Sequence, residues 1–241
     1  MELDRCDTDR PKLRLIRHGQ ASLGSDDYDR LSELGWTQAR QLGAHLAREI
    51  AAKQSAAPLV VSGSMRRHRE TLESLAIEQQ ALIDQSLDEY GLRELIMSAL
   101  AEADRLELTV PELRILSDPV THLPALLEWF PDVLAVWQQG RLACAYNGTW
   151  QSFRDRVVSP VADWRSALMA GREVIVVSSA GVISAITAEL LDRPPAWQRE
   201  LNVKLYNGSL TELVPSDDGK WRALRVNCVR HFEQPELHTL A

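Results

Sequence analysis

Apolar positions along the chain follow two kinds of pattern. Short, largely apolar runs at Leu13 to Ile16, Pro58 to Ser62 and Val174 to Ser178 have the length and composition of buried strands. Between them, apolar residues recur at helical spacing. Leu34, Ala39, Leu42, Leu46 and Ile50 approximate one face of a helix that Ser32 can cap, Met65 to Gln80 reads as a second helix, and Val182 to Leu191 as another. Strands alternating with helices predict a mainly parallel central sheet covered on both faces, an α/β three-layer sandwich. Near the C-terminus, Ser209 to Val214 and Trp221 to Asn227 flank Pro215-Ser216-Asp217-Asp218-Gly219, which predicts an antiparallel hairpin at the sheet edge.

From Glu94 to Gly148 the strand pattern fades, while Leu123, Leu126, Leu127, Phe130, Val133, Leu134 and Trp137 recur at helical spacing. This predicts a helical insertion over about residues 94–148, lying over the sheet. Its Trp129, Phe130 and Trp137 are expected in the core rather than against a substrate. No internal repeat interrupts the chain, and its 241 residues suit one domain spanning 1–241.

Composition narrows the partners. Hydrophobic residues make up 45% and charged residues 25%, the balance of a folded globular protein. A formal net charge of -7 argues against a nucleic-acid partner, which needs a basic surface. Any phosphate site must therefore be locally basic, and 23 of the 27 basic residues are arginine, whose planar fork suits phosphate oxygens. Cys6, Cys144 and Cys228 are odd in number and far apart, which suggests neither a disulfide framework nor a zinc site. Met1 to Lys12 lacks the apolar centre of a secretory signal, so a cytoplasmic location is expected. Val174 to Ala188 carries no charge, but it falls short of the roughly 20 residues that span a bilayer, and no membrane partner is expected. No cofactor or metal is implied, and the oligomeric state is left open.

Two constellations could do chemistry. Arg17-His18-Gly19-Gln20 directly follows a strand, where an imidazole can face a crevice and a neighbouring guanidinium can hold an anion. A neutral imidazole nitrogen is a competent nucleophile toward phosphorus. The second is Ser62-Gly63-Ser64-Met65-Arg66-Arg67-His68-Arg69-Glu70-Thr71, which follows another strand and opens a helix whose first amides attract anions. Arg67 and Thr71 are four apart and share a helical face, whereas Arg66 and Arg69 point elsewhere.

Taken together these segments resemble the histidine phosphatase (phosphoglycerate-mutase-like) superfamily, from about Leu13 to Phe232. That family carries an R-H-G triplet after its first strand, S-x-x-x-x-R-x-x-x-T after its second, a Glu in an L-x-E segment and a second His after a later strand. The resemblance implies that His18 becomes phosphorylated and that Arg17 and Arg67 clamp the phosphoryl oxygens. It implies that Glu89, in Leu87-Asp88-Glu89, protonates the leaving oxygen, with Gln20, Ser179 and Ala180 as further substrate contacts. Ser32 to Ala39 resembles the family's first helix, and Asn227 to Phe232 its C-terminal segment, with His231 structural. The implied function is a metal-independent phosphomonoester hydrolase acting on a phosphorylated small molecule or a phosphoprotein.

The chain departs from the family at two positions. Gly24 stands where an Asn is common, seven residues after Arg17. More consequentially, the V-x-H-G-G segment is here Val177-Ser178-Ser179-Ala180-Gly181, so Ser179 replaces the second His, as in a subgroup that opens Arg-His-Gly-Gln-Ala-Ser. Loss of that donor is expected to attenuate turnover, since one preorganised donor elsewhere is worth about 10²–10³ in rate. Three alternatives follow: a phosphate- or protein-binding pseudo-phosphatase, a phosphoglycerate-type mutase, and a serine hydrolase in which Ser179, Asp217 and His231 follow the Ser, Asp, His order of α/β-hydrolases.

Overall fold

The computed structural model describes residues 10–22, 27–52, 56–111 and 121–240; Gly24 lies outside them. In chain order the elements are β1 (Leu13–Arg17), α1 (Glu33–Ala52), β2 (Ala56–Ser62), α2 (Arg66–Ser74), β3 (Leu82–Ile83), α3 (Leu92–Ala101), α4 (Ala103–Leu106), α5 (Leu123–Gln138), α6 (Trp150–Val158), α7 (Val161–Met169), β4 (Arg172–Ser178), α8 (Ala180–Leu190), α9 (Pro195–Lys204), β5 (Leu210–Pro215) and β6 (Trp221–Cys228).

The strands form one sheet in the order β3-β2-β4-β1-β5-β6. β1, β2, β3 and β4 run parallel, and β5 and β6 complete the sheet antiparallel, so the expected hairpin does close one edge. β1, β5, nearly all of β4 and the second half of β2 are buried, which is why β1, β2 and β4 read as short apolar runs. Leu13, Leu15, Val174 and Val176 face one core with Trp137, Phe153, Trp164, Val182 and Ile186, while Ile16, Ile175 and Val177 face a second with Leu42, Leu46 and Leu75. Helices α5 to α8 thus cover one face and α1 with the end of α2 the other, giving three layers.

Two elements differ from expectation. α2 ends at Ser74 rather than near Gln80, because Leu75 packs against α1 where a Cβ on Gly43 would lie 2.8 Å from its Cα, and Ala76 turns into the left-handed region at φ 50°. That turn frees the chain to add β3, a two-residue edge strand too short to leave a periodic signal. Among the described residues of 94–148 the elements are the helices α3, α4 and α5, and Trp129, Phe130 and Trp137 are buried in the larger core. Among the described residues no helix is long and apolar enough to cross a membrane.

Candidate active site

The C-terminal ends of β1, β4 and β2 lie side by side in the middle of the sheet, and the chain leaves them at His18, Ser179 and Gly63. Crevices outside the carboxyl ends of parallel strands are where α/β proteins place ligands. Here that rim brings together two of the residues expected from sequence, His18 and Ser179, and a third, Arg67, reaches them from α2.

His18 is 4% exposed, and its backbone N–H donates to Ser178 O at 3.0 Å. Its Nδ1 lies 2.7 Å from Gly19 O. A carbonyl can only accept, so Nδ1 carries the proton and Nε2 keeps its lone pair. The loop that holds this ring has no slack: a Cβ on Gly19 would lie 2.4 Å from Gly35 O at the start of α1. Gly19 N–H donates to Thr71 Oγ1 at 3.0 Å, which ties the β1 loop to α2.

Arg67 fills the space in front of the imidazole. Its Nε–H donates to His18 Nε2 at 3.2 Å, Nη1 to Asp29 Oδ1 at 2.6 Å and Nη2 to Ser179 Oγ at 3.3 Å. Arg17 is buried beside them and donates from Nη1 to Leu205 O. Its Nε has no hydrogen-bond partner among the described residues. A buried guanidinium with an unused N–H is a donor waiting for an acceptor.

Burial and charge set the proton affinities. Burial, reinforced by Arg67 and Arg17, holds His18 well below the usual imidazole range, so it stays neutral and nucleophilic under mildly acidic conditions. Burial lowers Arg17 to about 10, which leaves it cationic at neutral pH. Glu89 moves the opposite way, since burial raises its carboxyl although Gly181 N–H donates to Oε2 at 2.7 Å. A carboxyl whose proton affinity burial raises, close to the Arg67 and Arg17 guanidinium groups, is suited to pass a proton to a leaving oxygen.

Glu89 is held from both sides. Arg156 donates to the carbonyls of Gln85, Ser86 and Asp88 at 3.1, 2.7 and 3.0 Å. The neighbouring Tyr90 ring packs edge-on against Trp137 and Phe153, and its hydroxyl accepts from Asn202 Nδ2 at 2.8 Å. Ala180 opens α8 directly after Ser179. Gln20 is occupied differently: its side-chain carbonyl accepts from Ser32 Oγ at 2.8 Å at the head of α1.

Sequence reasoning passed over one residue that the fold places at the centre. His68 is fully buried, its ring centroid lies 5.7 Å from that of His18, and its Nε2 is 2.7 Å from Ser179 Oγ. No local signal marked it, because its neighbours Arg66, Arg67 and Arg69 read as a charged face, and only the fold buries Arg67, His68 and Thr71 together on α2. The serine-hydrolase alternative is not assembled. Ser179 bonds to His68 and Arg67, while Asp217 pairs with Arg10 at 3.0 Å and His231 Nε2 donates to Gly208 O at 3.0 Å. Among the described residues no three His, Cys, Asp or Glu side chains are grouped to hold a metal ion.

The sequence profile of the histidine phosphatase superfamily (branch 1) matches residues 13–110 and 121–229. No curated protein matches the chain. Among solved structures, a mycobacterial glucosyl-3-phosphoglycerate phosphatase with inorganic phosphate aligns with a TM-score of 0.62 at 23% identity, over 92% of this chain and 100% of that one. A variant phosphoserine phosphatase from Entamoeba histolytica, in complex with phosphoserine, aligns at 0.61 and 16% identity over 91% and 98%. A putative alpha-ribazole-5'-P phosphatase from Escherichia coli aligns at 0.59 and 18% over 91% and 97%. At these identities the likeness speaks to the fold, which all three share with this chain over nearly its whole length.

Proposed function

The chain belongs to the histidine phosphatase superfamily, and from that premise we propose that it hydrolyses phosphomonoesters through a phosphohistidine on His18, without a metal. Membership supports a phosphatase; the observation that carries the mechanism is the His18 Nε2 lone pair held against Arg67 Nε at 3.2 Å. As substrate enters, that N–H and the unused Nε–H of Arg17 turn to the phosphoryl oxygens. Nε2 then forms the bond to phosphorus while the bond to the leaving oxygen breaks, and Glu89 supplies that oxygen with a proton. In the second step water attacks phosphorus, Glu89 takes up its proton, and the N–P electron pair returns to Nε2. Two cationic groups around a neutral nucleophile supply the electrostatic stabilisation such transfers need.

The substrate we propose is a phosphorylated small molecule, the class bound by the glucosyl-3-phosphoglycerate and phosphoserine phosphatases that share the fold. The odd number and wide spacing of the cysteines support a reducing, cytoplasmic setting. The test is hydrolysis of p-nitrophenyl phosphate with EDTA present, comparing wild type with His18→Ala. Turnover in the wild type that disappears in the variant is expected. Equal turnover in both sinks the assignment of His18, and none in either favours a phosphate-binding pseudo-phosphatase.

A further inference from the structure

Ser179 stands where the family has its second imidazole, and its hydroxyl does something specific. It is the residue before α8, yet its side chain makes no capping bond to that helix. Instead Oγ accepts from Arg67 Nη2 at 3.3 Å and meets His68 Nε2 at 2.7 Å. The direction of the second bond depends on which His68 nitrogen carries the proton.

The surroundings of His68 decide this. Its Nδ1 faces the backbone of Gly63, so closely that a Cβ there would lie 2.2 Å away. The nearest carboxylate oxygen, Asp88 Oδ1, is 3.9 Å off, beyond hydrogen-bond reach. Asp88 is also committed elsewhere, accepting from Ser64 N–H and Ser64 Oγ at 2.6 and 2.5 Å. Nδ1 thus has no partner among the described residues. A buried orphan N–H costs more than a buried orphan lone pair, so the proton belongs on Nε2. Ser179 Oγ then accepts twice, from Arg67 and from His68, and its own proton is left to point into the pocket. Arg67 joins this hydroxyl to His18 Nε2 through adjacent nitrogens of one guanidinium.

We propose that His68 and Ser179 act together in place of the missing imidazole, His68 as a positioning residue that aims the Ser179 O–H at a phosphoryl oxygen on His18. The pair moves the ring from the β4–α8 junction to the first turn of α2 and relays its effect through one hydroxyl. This rests on the phosphoryl-transfer reading above, but it concerns who binds the transferring group and can be tested apart from turnover.

The measurement is binding of orthovanadate, alongside p-nitrophenyl phosphate kinetics, in His68→Phe, His68→Gln, Ser179→Ala, the His68→Phe/Ser179→Ala double variant and the exchange variant His68→Ala/Ser179→His. Phe keeps the ring without a donor, whereas Gln can place an N–H near the position of Nε2. Vanadate affinity is expected to fall about tenfold to a hundredfold in His68→Phe, with kcat falling by a similar factor and KM changing less. Ser179→Ala is expected to match it, the double variant to be no worse than either single, and Gln and the exchange variant to recover much of the loss. A folded His68→Phe protein that binds vanadate like the wild type overturns the proposal, as does a double variant whose loss is the product of the two singles. If no variant hydrolyses ester but vanadate binding follows the expected order, the phosphatase reading fails and this one stands. A wild type that takes up no vanadate overturns this one too.

Discussion

Glu89 is the residue at which the proposed proton transfer and stability pull apart. Burial raises its carboxyl, and a group whose folded pKa lies above its unfolded value stabilises the fold only at low pH, losing that contribution as pH rises through the folded value. At neutral pH the ionised side chain is therefore a cost. Glu89→Gln keeps the shape and the acceptor for Gly181 N–H while removing the charge. The variant is expected to melt higher than wild type near pH 7, with the advantage vanishing in mild acid. The same change should cost little with p-nitrophenyl phosphate, whose leaving group needs no proton, and about 10²–10⁴ in kcat with an alkyl phosphate. Equal losses on both esters would argue that Glu89 acts on something other than the leaving oxygen. At this scale His18, Arg17, Arg67 and Glu89 were legible from short motifs. His68 was not, because its neighbours in sequence are arginines that mark a solvated face, and only the fold brings it beneath Ser179.

At the scale of elements, β1, β2, β4 and α1 were legible because buried central strands leave short apolar runs and α1 a helical stripe. Arg14 breaks that rule. It sits fully buried inside β1, facing α1, with Glu49 Oε2 at 2.8 Å, Glu212 Oε1 of β5 at 3.1 Å and Glu173 Oε2 of β4 at 3.4 Å. Lys12 and Arg225 add contacts to Glu212 at 3.7 and 2.7 Å, so three cations meet three carboxylates between one helix and four strands. Breaking such a buried network by removing one partner typically costs 3–5 kcal/mol, because a charge is left unpaired. Arg14→Met is expected to lose about 3 kcal/mol or more in urea unfolding, with kcat per folded molecule kept. The triple change Arg14→Met, Glu173→Gln, Glu212→Gln should recover part of the loss. A single variant as stable as wild type would mean that Lys12 and Arg225 carry the network. The elements that escaped reading, β3 and the early end of α2, were set by packing of Leu75 on α1, which no local pattern encodes.

For the whole molecule, the consequence of burying imidazoles is acid lability. His18 and His68 are held well below the usual range, chiefly by burial, and His231 is lowered to about 4 by burial. In the unfolded chain each regains a pKa near 6.5. Between the folded and unfolded values the unfolded state binds the extra proton, so these groups contribute stability above about pH 6.5 that is lost as pH falls toward the folded values. Each adds a slope of up to about 1.4 kcal/mol per pH unit across its window. Glu89 opposes them, since its raised carboxyl favours the fold in acid, but it is one group against three. The urea midpoint is therefore expected to fall steadily from pH 6.5 to pH 4. His231 separates this effect from the chemistry, because it stacks on His45 at 5.5 Å and donates to Gly208 O, and touches none of His18, Arg67 or Ser179 in any bond described above. His231→Gln can keep the N–H to Gly208 while removing the titration, so its stability profile should be shallower between pH 6.5 and 4 with turnover intact. An unchanged slope would place the acid sensitivity in His18 and His68 instead.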